Sequence, residues 1–178
     1  MPAMDMAGNL FFVGLMGSGK TTIGRALAKR LHRPFFDSDV EIEKRTGVSI
    51  PVIFEIEGEA GFRDREVETL ADLCQQRGII LATGGGAVIR PENRQALRAN
   101  GTVIYLRAPV EELYQRTARD KGRPLLQTPD PLGRLRELYA QRDPLYREVA
   151  DIVVMTSRQG VMQLVHDIEN RLQLMGVL

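Results

Sequence analysis

Cysteine is nearly missing from this sequence, which has Cys74 alone, so no internal disulfide can staple the chain. Its helical setting marks it as a small packing residue rather than a nucleophile. Histidine is almost as scarce: His32 and His166 share no metal-ligand spacing and are expected at the surface. No apolar run approaches the roughly 20 residues that a membrane span needs, and Met1 to Gly8 lack the apolar core of a signal peptide. Charge of one sign is not in excess either. With 24 Lys and Arg against 23 Asp and Glu, the net charge is +1, which speaks against a general nucleic-acid or membrane-surface binder. Any functional positive charge must therefore be local. Together these absences predict a cytoplasmic, monomeric protein, one domain over residues 1–178 with a flexible start at 1–8, and no nucleic acid or membrane among its partners.

What is present alternates. Short apolar runs at 9–13, 34–36, 79–83, 102–106 and 152–155 read as strands, separated by helical patterns. Helices are expected over Lys20–Leu31 and Val40–Arg45, then from a cap at Ser49 to a stop at Glu57-Gly58. Others run from Glu59 to Arg77 with Gly78 as the closing glycine, from Pro91 to Asn100 and from Pro109. A helix over Gly133–Glu148, interrupted near Pro144, and a last one striped by Val161, Leu164, Val165, Ile168 and Leu172 complete the set. Residues 120–131 have no periodicity and read as a mobile loop. Continuously apolar strands separated by helices imply a parallel sheet covered on both faces, with ligands at the carboxyl ends of the strands.

The stretch around which the chain is arranged is Gly14-Leu-Met-Gly-Ser-Gly-Lys20-Thr21, which fits Gly, four residues, Gly-Lys-Ser/Thr between a strand and a helix. Its glycines let successive backbone N–H groups turn toward a phosphate chain. Lys20 adds a charge near the β- and γ-phosphates, the Thr21 hydroxyl suits Mg²⁺, and the helix start favours the same anions. This is a nucleoside triphosphate site.

Four further features stand out, two of them at strand ends. Asp37 and Asp39, two apart on extended backbone, would point to one side. They read either as a solvated turn or helix cap, or as carboxylates serving Mg²⁺–triphosphate and an acceptor hydroxyl. Glu66 lies one helical turn beyond Arg63, a surface ion pair or a brace for a ligand-binding guanidinium. Gly84-Gly85-Gly86 suits close approach to the backbone. Arg123, in the hinge-like Lys121-Gly-Arg-Pro124, could swing a cation over a phosphate.

Taken together, Gly14 to Arg25, Asp37-Ser-Asp39, Glu57-Gly-Glu59 with Phe62-Arg-Asp-Arg-Glu66, Ala82-Thr-Gly-Gly-Gly86, Lys121-Gly-Arg-Pro-Leu-Leu126 and Arg142-Asp-Pro-Leu-Tyr146 resemble the shikimate kinases, in unbroken order from about residue 9 to 172. The resemblance implies an α/β fold, three-layer α/β/α of the P-loop, nucleoside monophosphate kinase-like type, with a five-stranded parallel sheet and a mobile lid at about 120–131. It implies phosphorylation of the shikimate 3-hydroxyl by ATP, with Mg²⁺, on the route to chorismate and the aromatic amino acids. By motif, Gly17, Ser18, Gly19, Lys20, Thr21 and Thr22 would hold the ATP phosphates, Thr21 would ligate the metal, and Asp37 would reach it through water. Asp39, Arg63, Gly85 and Arg142 would bind shikimate, the two arginines on its carboxylate. Lys20, Asp39 and Arg123 would serve catalysis, with Arg123 on the phosphates, and Arg116 and Gln159 would lie near the adenine. Two other readings remain in view: a kinase of another small hydroxylated acceptor such as gluconate, and a nucleotide-switched regulator, for which the guanine-reading Asn-Lys-x-Asp segment is absent.

Overall fold

In a computed structural model describing residues 8–118, 128–157 and 159–178, five strands form one sheet: β1 (Asn9–Val13), β2 (Phe35–Asp37), β3 (Ile80–Ala82), β4 (Gly101–Arg107) and β5 (Ile152–Met155). Their order is β2-β3-β1-β4-β5 and all pairs are parallel, with Phe12 opposite Ala82 on one side and Ile104 on the other. Side chains alternate across β1, so Leu10 and Phe12 feed one core and Phe11 and Val13 the other. The first core is closed by α1 (Lys20–Leu31) through Ile23 and Leu27 and by α7 (Val161–Leu174) through Val165, Ile168 and Leu172. The second is closed by Leu70 and Leu73 of α3 (Ile50–Cys74), Leu97 of α4 (Pro91–Asn100), Leu113 of α5 (Val110–Thr117), and Leu138 and Tyr146 of α6 (Pro131–Val149). This is the three-layer α/β/α arrangement, with helices on both faces of a parallel sheet. A smaller cluster of Ile42, Ile53 and Phe62 joins α2 (Ser38–Thr46) to α3 at one end.

Beyond shifts of a residue or two at element ends, four local details differ from the sequence expectation. The second helix begins at Ser38 rather than Val40, because Asp37 Oδ1 accepts the N–H groups of Asp39 (2.9 Å) and Val40 (3.2 Å). Asp39 therefore stands in a helical first turn, not on extended backbone. Ser49 occupies the N-cap of α3 without a side-chain bond; Glu43 Oε2 takes the Ile50 N–H at 2.9 Å instead. The break expected at Glu57-Gly58 is present, with Gly58 at φ 73° and ψ 179°, and the chain resumes a helix at once as expected, but that helix stops at Cys74 rather than Arg77, so Gly78 lies in the turn beyond rather than at the helix end. Finally, α6 continues through Pro144. Side chains on either side of the proline hold it: Asp143 Oδ1 accepts from the Tyr105 hydroxyl (2.6 Å) and Arg107 Nε (3.2 Å), and Tyr146 reaches the Gly85 carbonyl. Cys74 is buried, and its thiol is pushed up to about 11 by desolvation, as suits a packing residue. His32 and His166 are exposed.

Candidate active site

The loop between β1 and α1 turns on glycines that L side chains would strain, with φ of 150° at Gly14, 81° at Gly17 and 97° at Gly19. A Cβ on Gly14 would also stand 2.6 Å from the Leu106 carbonyl oxygen, and one on Gly17 2.9 Å from Thr117 Cγ2. Gly19 is the N-cap of α1 and supplies no side-chain acceptor, so the first helical amides are left for an anion. Lys20 Nζ reaches back over the loop to the carbonyls of Gly14 (2.5 Å) and Leu15 (3.0 Å). Beside it the Thr21 hydroxyl donates to Asp37 Oδ2 at 2.9 Å. These groups line a cleft of about 580 Å³ that also takes in Thr22, Asp39, Arg116 and Gln159. Arg116 closes one end, donating to the carbonyls of Gly17 (3.0 Å) and Ser157 (3.2 Å), while Gln159 Oε1 accepts from the Ser157 N–H at 3.4 Å.

A second, smaller pocket of about 90 Å³ adjoins the cleft, sharing Asp39, Gly84 and Gly85 with it. Its apolar wall is Met16, Ile50, Phe54 and Phe62; its charged wall is Arg63, Glu66 and Arg142. The break at Gly58 lets Phe54 and Phe62 meet from the two arms of α3, ring centroids 4.9 Å apart. Arg63 donates to Glu66 Oε1 at 3.0 Å and to Glu59 Oε1 at 3.3 Å, and its guanidinium and Glu66 are almost wholly buried. This ion pair is internal, not on the surface. Burial, aided by the Asp39 charge and opposed by Arg63, pushes the Glu66 carboxyl up to about 7. Arg142 is buried too, and its pKa is lowered first by desolvation and then by the nearby charge of Arg63. Among the described residues Arg142 Nη1 and Arg63 Nε have no hydrogen-bond partner. Two desolvated guanidiniums repelling one another across a pocket, with donors to spare, make a site for an anion.

The triple glycine after β3 explains itself here. Methyl groups on Gly84 and Gly86 would fall on Asp39 Oδ1 and on the Arg63 guanidinium, and one on Gly85 would sit 3.5 Å from Arg142 Nη1. What approaches this backbone is the pocket's own charged wall.

Of the residues singled out from sequence, Gly17 to Thr22, Asp37, Asp39, Gly85, Arg116 and Gln159 share the cleft, and Asp39, Arg63, Gly85 and Arg142 share the pocket. Arg123 and most of the loop at 120–131 lie outside the described residues; Pro131, the loop's last residue, already begins α6.

A model of the shikimate kinase family matches residues 16–173. The chain belongs to the shikimate kinase family. Curated shikimate kinases from Burkholderia lata and Burkholderia pseudomallei are 62% and 58% identical over all 178 residues, covering 97% of each relative. The structure of the Acinetobacter baumannii shikimate kinase in complex with shikimate superposes with a TM-score of 0.93, at 49% identity and 96% coverage of both chains. A gluconokinase from Sinorhizobium meliloti matches at a TM-score of 0.56 and 16% identity, a likeness of fold alone.

Several residues of the site escaped the sequence reading. Ser38, wholly buried, accepts the Gly84 N–H at 2.9 Å and so ties the triple glycine to the start of α2. Its only signal was its place between two acids. The apolar wall was also missed: Ile50 and Phe54 belong to no motif, and Phe62 stands in one with no role given to its ring. Tyr146 stood at the end of a quoted motif, with nothing to say where its hydroxyl would go.

Proposed function

We infer that this chain transfers the γ-phosphoryl group of ATP to the 3-hydroxyl of shikimate, giving shikimate 3-phosphate and ADP. The observation that carries this reading is the pair of buried guanidiniums, Arg63 and Arg142, in a pocket that opens through Asp39 and Gly85 onto the phosphate cleft. Such a pocket suits a small acid bearing a hydroxyl, and the substrate named for the Acinetobacter structure has both groups.

The roles follow from position. Backbone amides from Gly17 to Thr22 hold the triphosphate, and Lys20 leaves the loop carbonyls it now contacts to meet the phosphates. Arg116 and Gln159 bound the nucleoside end. Arg63 and Arg142 take the acceptor's carboxylate, which directs its hydroxyl toward Asp39 and the Gly85 backbone at the junction. Arg123, outside the described residues, is assigned to the transferring phosphoryl group. Phosphoryl transfer proceeds through a loose transition state, so positioning and charge neutralisation supply most of the acceleration. Asp39 orients the nucleophilic hydroxyl and receives its proton late, when the oxygen has become more acidic.

The donor set fits Mg²⁺. Thr21 Oγ1 and Asp37 Oδ2 are hard oxygens 2.9 Å apart in the phosphate cleft. Among the described residues no group of three or more His, Cys, Asp and Glu comes together, which accords with an ion that takes one or two protein oxygens and completes its shell with phosphate and water. Thr21 and Asp37 would hold it, Asp37 through water, and it would neutralise charge on the triphosphate.

Gluconate is the alternative acceptor. Both acceptors carry a carboxylate for the guanidiniums, and the apolar wall of Phe54 and Phe62 favours a cyclic acid over an open polyol chain. No helix among the described residues is long and apolar enough to cross a membrane; we assign the protein to the cytoplasm, as a monomer of one domain. The test is replacement of Asp39 with product analysis. Asp39→Asn is expected to lower kcat by about 10²-fold or more while ATP binding persists, and wild-type product should carry its phosphate on the 3-oxygen by NMR. Near-normal turnover in Asp39→Asn would remove Asp39 from the chemistry; phosphate on another oxygen would overturn the acceptor geometry.

A further inference from the structure

Tyr146 is wholly buried, and its hydroxyl reaches Gly85, a residue of the acceptor pocket's wall. It lies one helical turn after Arg142 on α6, so both side chains leave the same face of the helix. Its O–H donates to the Gly85 carbonyl. The Arg142 guanidinium stands against the same phenolic oxygen. Burial raises the phenol's pKa, and the Arg142 charge opposes this without reversing it, so the donated proton is present throughout the neutral range. The ring is fixed from the other side by Tyr105, with centroids 4.9 Å apart, and the Tyr105 hydroxyl is anchored on Asp143 at 2.6 Å.

We propose that Tyr146 is a positioning residue for acceptor binding: its phenol couples the Arg142 guanidinium to the Gly85 backbone and so fixes where the acceptor's carboxylate sits relative to the phosphate cleft. The inference rests on the assignment of Arg142 to that carboxylate. A phenol is suited to the task because one oxygen both donates and accepts, on a ring too large to shift within a packed core. With the hydroxyl gone, the Gly85 carbonyl loses a buried donor, and Arg142 loses the neighbour that orients it. A long guanidinium arm with alternative rotamers then binds an anion in a poorer position.

The experiment compares shikimate with its uncharged methyl ester, in wild type and in Tyr146→Phe, by acceptor-dependent ADP release. Phe keeps the ring and its contact with Tyr105. We expect kcat/KM for shikimate to fall about tenfold, the usual effect of a hydrogen bond lost at a charged group. The ester should be nearly unaffected, so that the acid-to-ester preference drops by the same factor, and KM for ATP should stay within twofold. The preference is a ratio within one preparation and is independent of how much protein is folded. Equal losses for acid and ester would show that the phenol only supports the fold, and would overturn the proposal; so would no loss for either. If wild type itself releases no ADP on addition of shikimate, the functional reading fails and this inference falls with it. Wild-type turnover with an unchanged preference in the variant removes the positioning role alone.

Discussion

Glu66 shows how a single residue reads differently in a chain and in a fold. As Arg63-x-x-Glu66 it is one of many helical ion pairs, and a surface pair of that kind contributes little. In the structure it is walled off from water behind the acceptor pocket, with Arg63 before it and Asp39 close by. The sign of its pH effect follows. Its folded pKa of about 7 lies above the ordinary 4.5, so between those values the folded state holds a proton that the unfolded state has released. Stability from this group is therefore full below about 4.5 and is lost as pH rises through 7. Glu66→Gln keeps the shape without the titration. Its melting temperature, relative to wild type, is expected to climb as pH is raised from 4.5 to 7.5, read by calorimetry at each pH. A difference that stays flat or falls would show that Arg63 holds Glu66 ionised throughout.

At the scale of elements, the α3 segment was the least legible part of the site. The strands, the phosphate loop and most helices follow from apolar period and glycine placement, because those signals act within a few residues. The pocket depends instead on where the two arms of α3 point, and that angle is set by one backbone conformation at Gly58, φ 73° with ψ 179°. A stop at Glu57-Gly58 and a new helix from Glu59 were readable; the angle that brings Phe54 against Phe62 was not. At the start of α2 the helix cap, one of the two readings open for the acids, is present in Asp37 and sets Asp39 in a helical turn. What was not legible is that the same Asp37 carboxylate also takes the Thr21 hydroxyl, 16 residues away in sequence. The Gly58 conformation is one that residues with a Cβ scarcely populate, at a cost of about 1–3 kcal/mol. Nothing lies within 4 Å of a Cβ placed there, so the penalty of Gly58→Ala is conformational rather than steric. We expect a melting temperature several degrees lower and a raised KM for shikimate, with KM for ATP unchanged, because Phe54 shifts and the phosphate loop does not. Equal changes in both KM values would place the effect outside the pocket.

For the molecule as a whole, the sheet order explains why the two sites adjoin. β1 is central and β3 is its neighbour, so the phosphate loop after β1 and the triple glycine after β3 emerge side by side at the carboxyl edge. β2 stands next to β3 and delivers Asp37 and Asp39 to the seam between them. The guanidiniums come from helices that pack on the same face, α3 and α6, with Glu66 on Arg63 and the Tyr146 hydroxyl beside Arg142. Sequence order scatters these groups, and the parallel crossovers gather them. The measurement that bears most directly on this arrangement is ADP release from ATP and Mg²⁺ by the purified protein, with shikimate, with gluconate, and with no acceptor. Turnover that requires shikimate, with gluconate no better than the blank, is the predicted result. ADP released equally with all three, or with gluconate in preference to shikimate, would contradict the account.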